Sequence, residues 1–187
     1  MCLDLCYAFV GPFADCDHCP GCGKPRYRDG AKKISQRQFP TIPVGPQLQA
    51  LFCDPKSAEE MRYRDLYTQK VFEELAENNG RKQRWDDFLD GSDYLEAVVD
   101  GRIKPGDVVL MMSVDGAQLY ESKMSDCWVG IWVVFDRSPE MRYKKRYVLP
   151  AFVVPGPRKP KNLDSFLYPS FHHLSALMKD GFTIWDA

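Results

Sequence analysis

The sequence predicts an α+β chain in three serial parts: a cysteine-rich head over residues 1–38, a linker with helical spacer over 39–104, and a mixed sheet over 105–187. Three observations predict it. Five of the seven cysteines fall within the first 22 residues. Met61, Leu66, Val71, Phe72 and Leu75 recur at roughly helical spacing. After Lys104 the apolar residues gather instead into four strand-sized runs, with one amphipathic stretch ahead of the last.

A chain of 187 residues with 44% apolar and 13% aromatic content can bury a core of its own. No apolar run approaches the length of a membrane span. Met1-Cys2-Leu3-Asp4-Leu5-Cys6 has no basic segment ahead of its apolar residues and does not read as a secretory signal. The expectation is a soluble, intracellular protein with no membrane partner.

Net charge is -1, so the molecule as a whole argues for no partner, but the charges are unevenly placed. Lys24 to Arg37 holds six basic residues against Asp29, and Arg137 to Lys161 holds eight against Glu140. Asp54 to Asp100 is acidic. Solvated faces explain such runs in many proteins; a phosphate-backbone binder carries them too. Under the second reading the contacts are Arg26, Arg28, Lys32 and Lys33, then Lys144, Lys145, Arg146, Arg158, Lys159 and Lys161.

Cys2-x3-Cys6 and Cys19-x2-Cys22 have the spacing of two zinc knuckles. Each pair chelates one face of a tetrahedral ion, Gly21 and Gly23 suit the tight turn after a ligand, and Pro20 stiffens it. Seven thiols, an odd count at short spacings, argue for thiolate ligands rather than disulfides. Two alternatives stay open: a loose cysteine-rich terminus, or a site in which Cys16 or His18 replaces Cys2. Four thiolates leave no vacant position, so the predicted zinc is structural.

In the spacer, Phe39 to Pro46 reads as an extended linker because three of its residues are proline. Gln47 to Cys53 predicts a short helix, and Ser57 is the expected N-cap of a longer one ended by Asn78-Asn79-Gly80. Trp85 to Val99 predicts a further short helix or turn cluster. Asp86, Asp87, Asp90 and Asp93 read as a solvated acidic face.

The C-terminal part predicts buried strands at Val108 to Val114 and Trp128 to Phe135, and a third at Arg146 to Val154. Pro150 places the third strand at an edge or a bulge. A helix is expected from Leu163, closed by Lys179-Asp180-Gly181, and then a fourth strand from Phe182 to Trp185. Three antiparallel strands, a helix and a returning strand parallel to the first would set Asp115 and Asp186 at neighbouring strand ends. Two such carboxylates can engage one or two magnesium ions for phosphodiester chemistry. Asp115-Gly116 alone is also ordinary hairpin chemistry, and Asp186 alone a surface acid. His172-His173 has no cysteine or acid at ligand spacing and reads as surface or lining.

Several segments resemble the CACTA-type DNA transposases, fungal ones in particular. They are Cys19 to Tyr27 (CPGCGKPRY), Pro46 to Phe52, Met61 to Arg64, Ser113 to Leu119, Cys127-Trp128, Arg142 to Lys145, Val154 to Leu167 and Trp185-Asp186-Ala187. The likeness is collinear over almost the whole chain. It implies a ribonuclease H-like catalytic domain, here a truncated one over 105–187, that cuts element ends and joins 3′ hydroxyls to target DNA in the nucleus. The resemblance implies magnesium held by a DDE set, with Asp115 as the first acid and Asp186 as the second. The family's third acid, a downstream glutamate, has no counterpart in these 187 residues. The expectation is therefore a transposase fragment that binds DNA without cutting it. The alternative is a non-catalytic, zinc-stabilised DNA-binding or protein-interaction module.

Overall fold

The computed structural model describes residues 1–118 and 126–187. The chain is α+β, and it gathers into two compact units interleaved in sequence. The first comprises Met1–Gln47, Met112–Trp132 and Leu149–Thr183; the second comprises Leu48–Met111, Val133–Val148 and Ile184–Ala187.

The sheet has three antiparallel strands in the order β1 (Leu110–Gln118), β2 (Asp126–Val134) and β3 (Leu149–Pro155). β2 pairs with β3 from Cys127↔Pro155 to Trp132↔Leu149, with a bulge at Gly130/Ile131 beside Pro150. Proline cannot donate to a ladder, so an edge strand with a bulge opposite is where it fits. Gly130 is required there, because a Cβ would collide with the Phe152 ring. The extended proline-rich linker runs along the outer side of β3: Ile42 N–H donates to Ala151 O at 2.8 Å, and Val153 N–H to Pro40 O at 3.1 Å. That covers an edge which would otherwise present unpaired backbone groups.

β1 corrects two expectations. It is half-exposed rather than buried, and it extends to Gln118, so Asp115 and Gly116 lie inside the strand instead of at its end or in a turn. β2, mostly buried, carries the core of the sheet through Cys127, Trp132, Val133 and Val134.

Six helices accompany the sheet in the described residues. α1 (Val44–Phe52) follows the linker. α2 (Pro55–Glu60) is capped by Asp54, whose Oδ1 accepts the Ser57 N–H at 2.8 Å, so the cap falls three residues earlier than Ser57 itself. Proline at the first helical position explains the shift: Pro55 has no N–H to lose and its φ is already helical. α3 (Tyr63–Glu77) and α4 (Ser92–Val99) pack around Leu89, with Val71, Tyr94 and Leu95. α5 (Pro139–Arg142) is one turn.

α6 (Leu163–Asp180) is capped by Asn162, whose Oδ1 accepts the Ser165 N–H at 2.9 Å, and it ends at Gly181 with φ 76°. Pro169 sits within it without displacing its start. α6 buries Phe166 against Phe39 (ring centroids 5.3 Å) and turns Phe171 edge-on to Trp132 (5.6 Å).

No fourth strand forms among the described residues; 181–187 have no regular structure. The reason is visible in the hydrogen bonds. The Gln49 amide brackets Trp185, donating to its carbonyl at 3.0 Å and accepting its N–H at 3.1 Å, and Ala187 N–H donates to Phe52 O at 3.1 Å. Backbone groups that a strand would offer to a neighbour are engaged by the end of α1.

The acidic row of the spacer is not simply a solvated face. Asp90 is wholly buried, accepting the N–H groups of Asp86 (2.7 Å) and Asp87 (2.9 Å), the Tyr67 hydroxyl and the Lys82 ammonium. Asp87 holds both terminal nitrogens of Arg142 at 2.8 and 2.9 Å. Arg64 Nε donates to Asp136 Oδ1 at 2.9 Å, while Val109 N–H donates to its Oδ2 at 2.8 Å. Burial pushes the Asp136 carboxyl up to about 6, although Arg64 pulls the other way. No described helix is long and apolar enough to cross a membrane.

Candidate metal centre and basic surface

The head folds as two short turns that bring their cysteines together. Cys2 N–H donates to Tyr7 O and Leu5 N–H to Cys2 O, with Leu5 at φ 56°. Cys19 N–H donates to Lys24 O and Gly23 N–H to Cys19 O, with Gly23 at φ 71°. Glycine takes that left-handed conformation without a Cβ clash.

The Sγ atoms of Cys2, Cys6, Cys19 and Cys22 all lie within 4.8 Å of one another. A tetrahedral zinc with bonds of about 2.3 Å sets its sulfurs about 3.8 Å apart, so this quartet fits such an ion. Cys2 and Cys22, at 3.4 Å, are too far apart for a disulfide bond. The four are the one group of three or more potential ligands among the described residues. Cys16 is half-buried against the cluster but outside it, and His18 is exposed, so the ligand set includes Cys2. The terminal ammonium explains why Cys2 is held despite its position: it donates to Arg37 O at 2.7 Å.

Protonation favours the same conclusion. Burial pushes the Cys2 thiol up, but backbone N–H groups of Cys6 and Asp4 and the thiols of Cys22 and Cys19 outweigh it and bring it to about 7. Burial and the neighbouring Cys22 and Cys2 push Cys6 up to about 12, and burial also raises Cys19. Cys2 ionises readily here; Cys6 and Cys19 do not. A divalent cation supplies the charge that lets the rest ionise.

Asp4, between the two cysteines of the first knuckle, pairs with Lys24 at 2.8 Å and with Arg158 at 3.2 Å. The segment after β3 is laid on the head by Lys161 N–H to Leu5 O (2.9 Å) and Asn162 N–H to Cys6 O (3.0 Å). Arg37 adds a fork, donating to Leu3 O and to Pro155 O and Gly156 O. Two basic stretches more than a hundred residues apart in sequence thus share one unit. Sequence reasoning missed Asp4 and Arg37, and the position of Asp4 inside a knuckle was the available signal.

The expected basic contacts separate by environment. Arg28, Lys32, Lys33, Lys144, Lys145, Arg146, Arg158, Lys159 and Lys161 are exposed. Arg26 is half-buried, donates to Ala14 O and lies over the Phe9 and Tyr27 rings at 5.2 and 5.1 Å, which is a structural role. Arg137 and Arg142 of the same charge run are buried in ion pairs.

Asp115 is exposed on β1, its Oδ1 accepting the Gly116 N–H at 2.7 Å. Asp186 pairs with Arg62 at 3.3 Å. Asp115 belongs to the first unit and Asp186 to the second. Magnesium takes six oxygens in near-octahedral order. Neither acid belongs to a group of three or more ligands among the described residues, and this donor set does not by itself make a magnesium site. No protein-family model, curated protein or solved structure matches the chain.

Proposed function

We propose that the chain is a zinc-stabilised, DNA-binding portion of a CACTA-type transposase, without strand-cleaving activity of its own. The observation that carries the DNA-binding half is the docking of Lys161 and Asn162 onto Leu5 and Cys6, which puts Lys24–Arg37 and Arg158–Lys161 in one unit built on the cysteine quartet. Zinc holds the head, and the head holds the basic segments. Exposed lysines and arginines then neutralise phosphates without reading bases, which gives salt-steep, sequence-indifferent affinity.

The transposase half rests on the residue likeness. In that reading the sheet and α6 open a ribonuclease H-like domain, Asp115 and Asp186 are its first two acids, element ends and target DNA are its substrates, and the nucleus is its place of work. Magnesium would enter only with a further acid. The absence of a fourth strand in the described residues favours, as a second reading, a zinc module in which the sheet is scaffold.

Fluorescence anisotropy with a labelled duplex tests the proposal. Dissociation constants on the order of 10⁻⁴ to 10⁻⁶ M are expected at physiological salt, weakening steeply as salt rises. A strong zinc chelator should abolish binding. Binding indifferent to salt, or unaffected by chelation, would overturn it. A magnesium-dependent nick in supercoiled DNA, lost in Asp115→Asn, would show that the chain does cleave.

A further inference from the structure

Trp128 has an environment that neither the metal centre nor the core explains. It stands half-buried on β2, next to the buried Cys127. Its indole lies against Gly116 of β1: a Cβ there would stand 3.4, 3.5 and 3.7 Å from three carbons of the ring system. Gly116 is also the neighbour of Asp115, whose carboxylate it holds by its N–H. The side chain of Lys159, exposed and flanked by Arg158 and Lys161, reaches back over the indole with Nζ 5.3 Å from the ring centroid.

We propose that Trp128 and Lys159 together bind an unpaired nucleotide of DNA beside Asp115. The inference rests on the DNA-binding reading above and specifies the form of DNA taken. An exposed ammonium on an aromatic face is held weakly enough to leave. A base can then take the place of the ammonium over the indole, and the ammonium can take the adjoining phosphate. Both halves of the exchange are favourable only when the base is unstacked, because a duplex keeps its base faces covered. Base–aromatic stacking of this kind is tolerant of sequence and strong enough to dominate single-strand binding. Charge supports the same occupant, since the Lys159 ammonium already stands over the indole and is exposed.

The test uses the whole zinc-loaded chain with two probes, a labelled short oligo(dT) and a duplex of equal length. Trp128→Ala should weaken oligo(dT) binding about tenfold or more and leave the duplex within about twofold. Lys159→Ala should lower the salt slope for the single strand by about 0.7. Trp128→Phe keeps an aromatic face and the fold; it should retain oligo(dT) affinity within about threefold while losing the tryptophan quenching that oligo(dT) causes in the wild type. Equal losses on both probes, no loss on either, or quenching unchanged in Trp128→Phe would overturn the proposal. Failure of the wild type to bind either probe would instead overturn the DNA-binding reading itself.

Discussion

Asp4 joins Lys24 at 2.8 Å and Arg158 at 3.2 Å, so one carboxylate inside the first cysteine knuckle neutralises two of the cations that surround it. The Lys24 ammonium in turn holds the Asp4 carboxyl below the usual carboxylate range. These pairs are solvated and contribute little to stability. Asp4→Asn should therefore cost little in thermal unfolding. It should also tighten duplex binding and steepen its salt dependence, since each freed cation adds about 0.9 to the slope. Weaker DNA binding in a folded Asp4→Asn chain would contradict the assigned surface.

Arg142 and Lys144 belong to one basic run and should behave oppositely. Arg142 is buried with a two-pronged bond to Asp87, and its removal leaves that acid unpaired. Arg142→Ala should cost about 3–5 kcal/mol in denaturant unfolding. Arg142→Lys should recover little, because an ammonium cannot form the fork. Lys144→Ala, at an exposed position, should change stability by less than about 0.5 kcal/mol while weakening DNA binding.

Asp136 gives stability a pH dependence of defined sign. Burial raises its folded-state value to about 6, above the ordinary 3.8. Between those values the folded chain holds a proton that the unfolded chain has released, so this group's contribution is fully present below about 3.8 and is lost as pH rises through about 6. Unfolding free energies of wild type minus Asp136→Asn should fall across that window and be flat above it. A difference that rises with pH would show the Arg64 pairing to dominate instead.

The parts of this fold that were legible in the sequence are those set by local chemistry. Knuckle spacing named all four clustered cysteines, and Pro150 marked an edge strand beside a bulge. Asn162 capping and Gly181 closure bounded α6 where the pattern placed it. What escaped depends on distant partners. The apolar run Phe182 to Trp185 reads as a strand until the Gln49 amide occupies its backbone. Asp90 reads as solvated until Tyr67 and Lys82, contributed by α3 and the loop after it, close over it. Asp115-Gly116 reads as a turn, whereas β1 continues through both residues to Gln118.

Replacing a single ligand separates the metal centre from the rest of the molecule. Cys19→Ser removes one buried thiolate and leaves three. Zinc-finger peptides gain about 10–16 kcal/mol from their metal. The variant should accordingly lose its zinc and the protease resistance of residues 1–38, whereas Cys53→Ser, at an exposed cysteine outside the cluster, should lose neither.

Native mass spectrometry of the purified chain tests the metal centre most directly. A single bound zinc per chain is expected, released together with the order of the head when Cys2, Cys6, Cys19 or Cys22 is replaced by serine. A metal-free chain that keeps the same circular dichroism and melting temperature, with all four thiols free to alkylate, would contradict it.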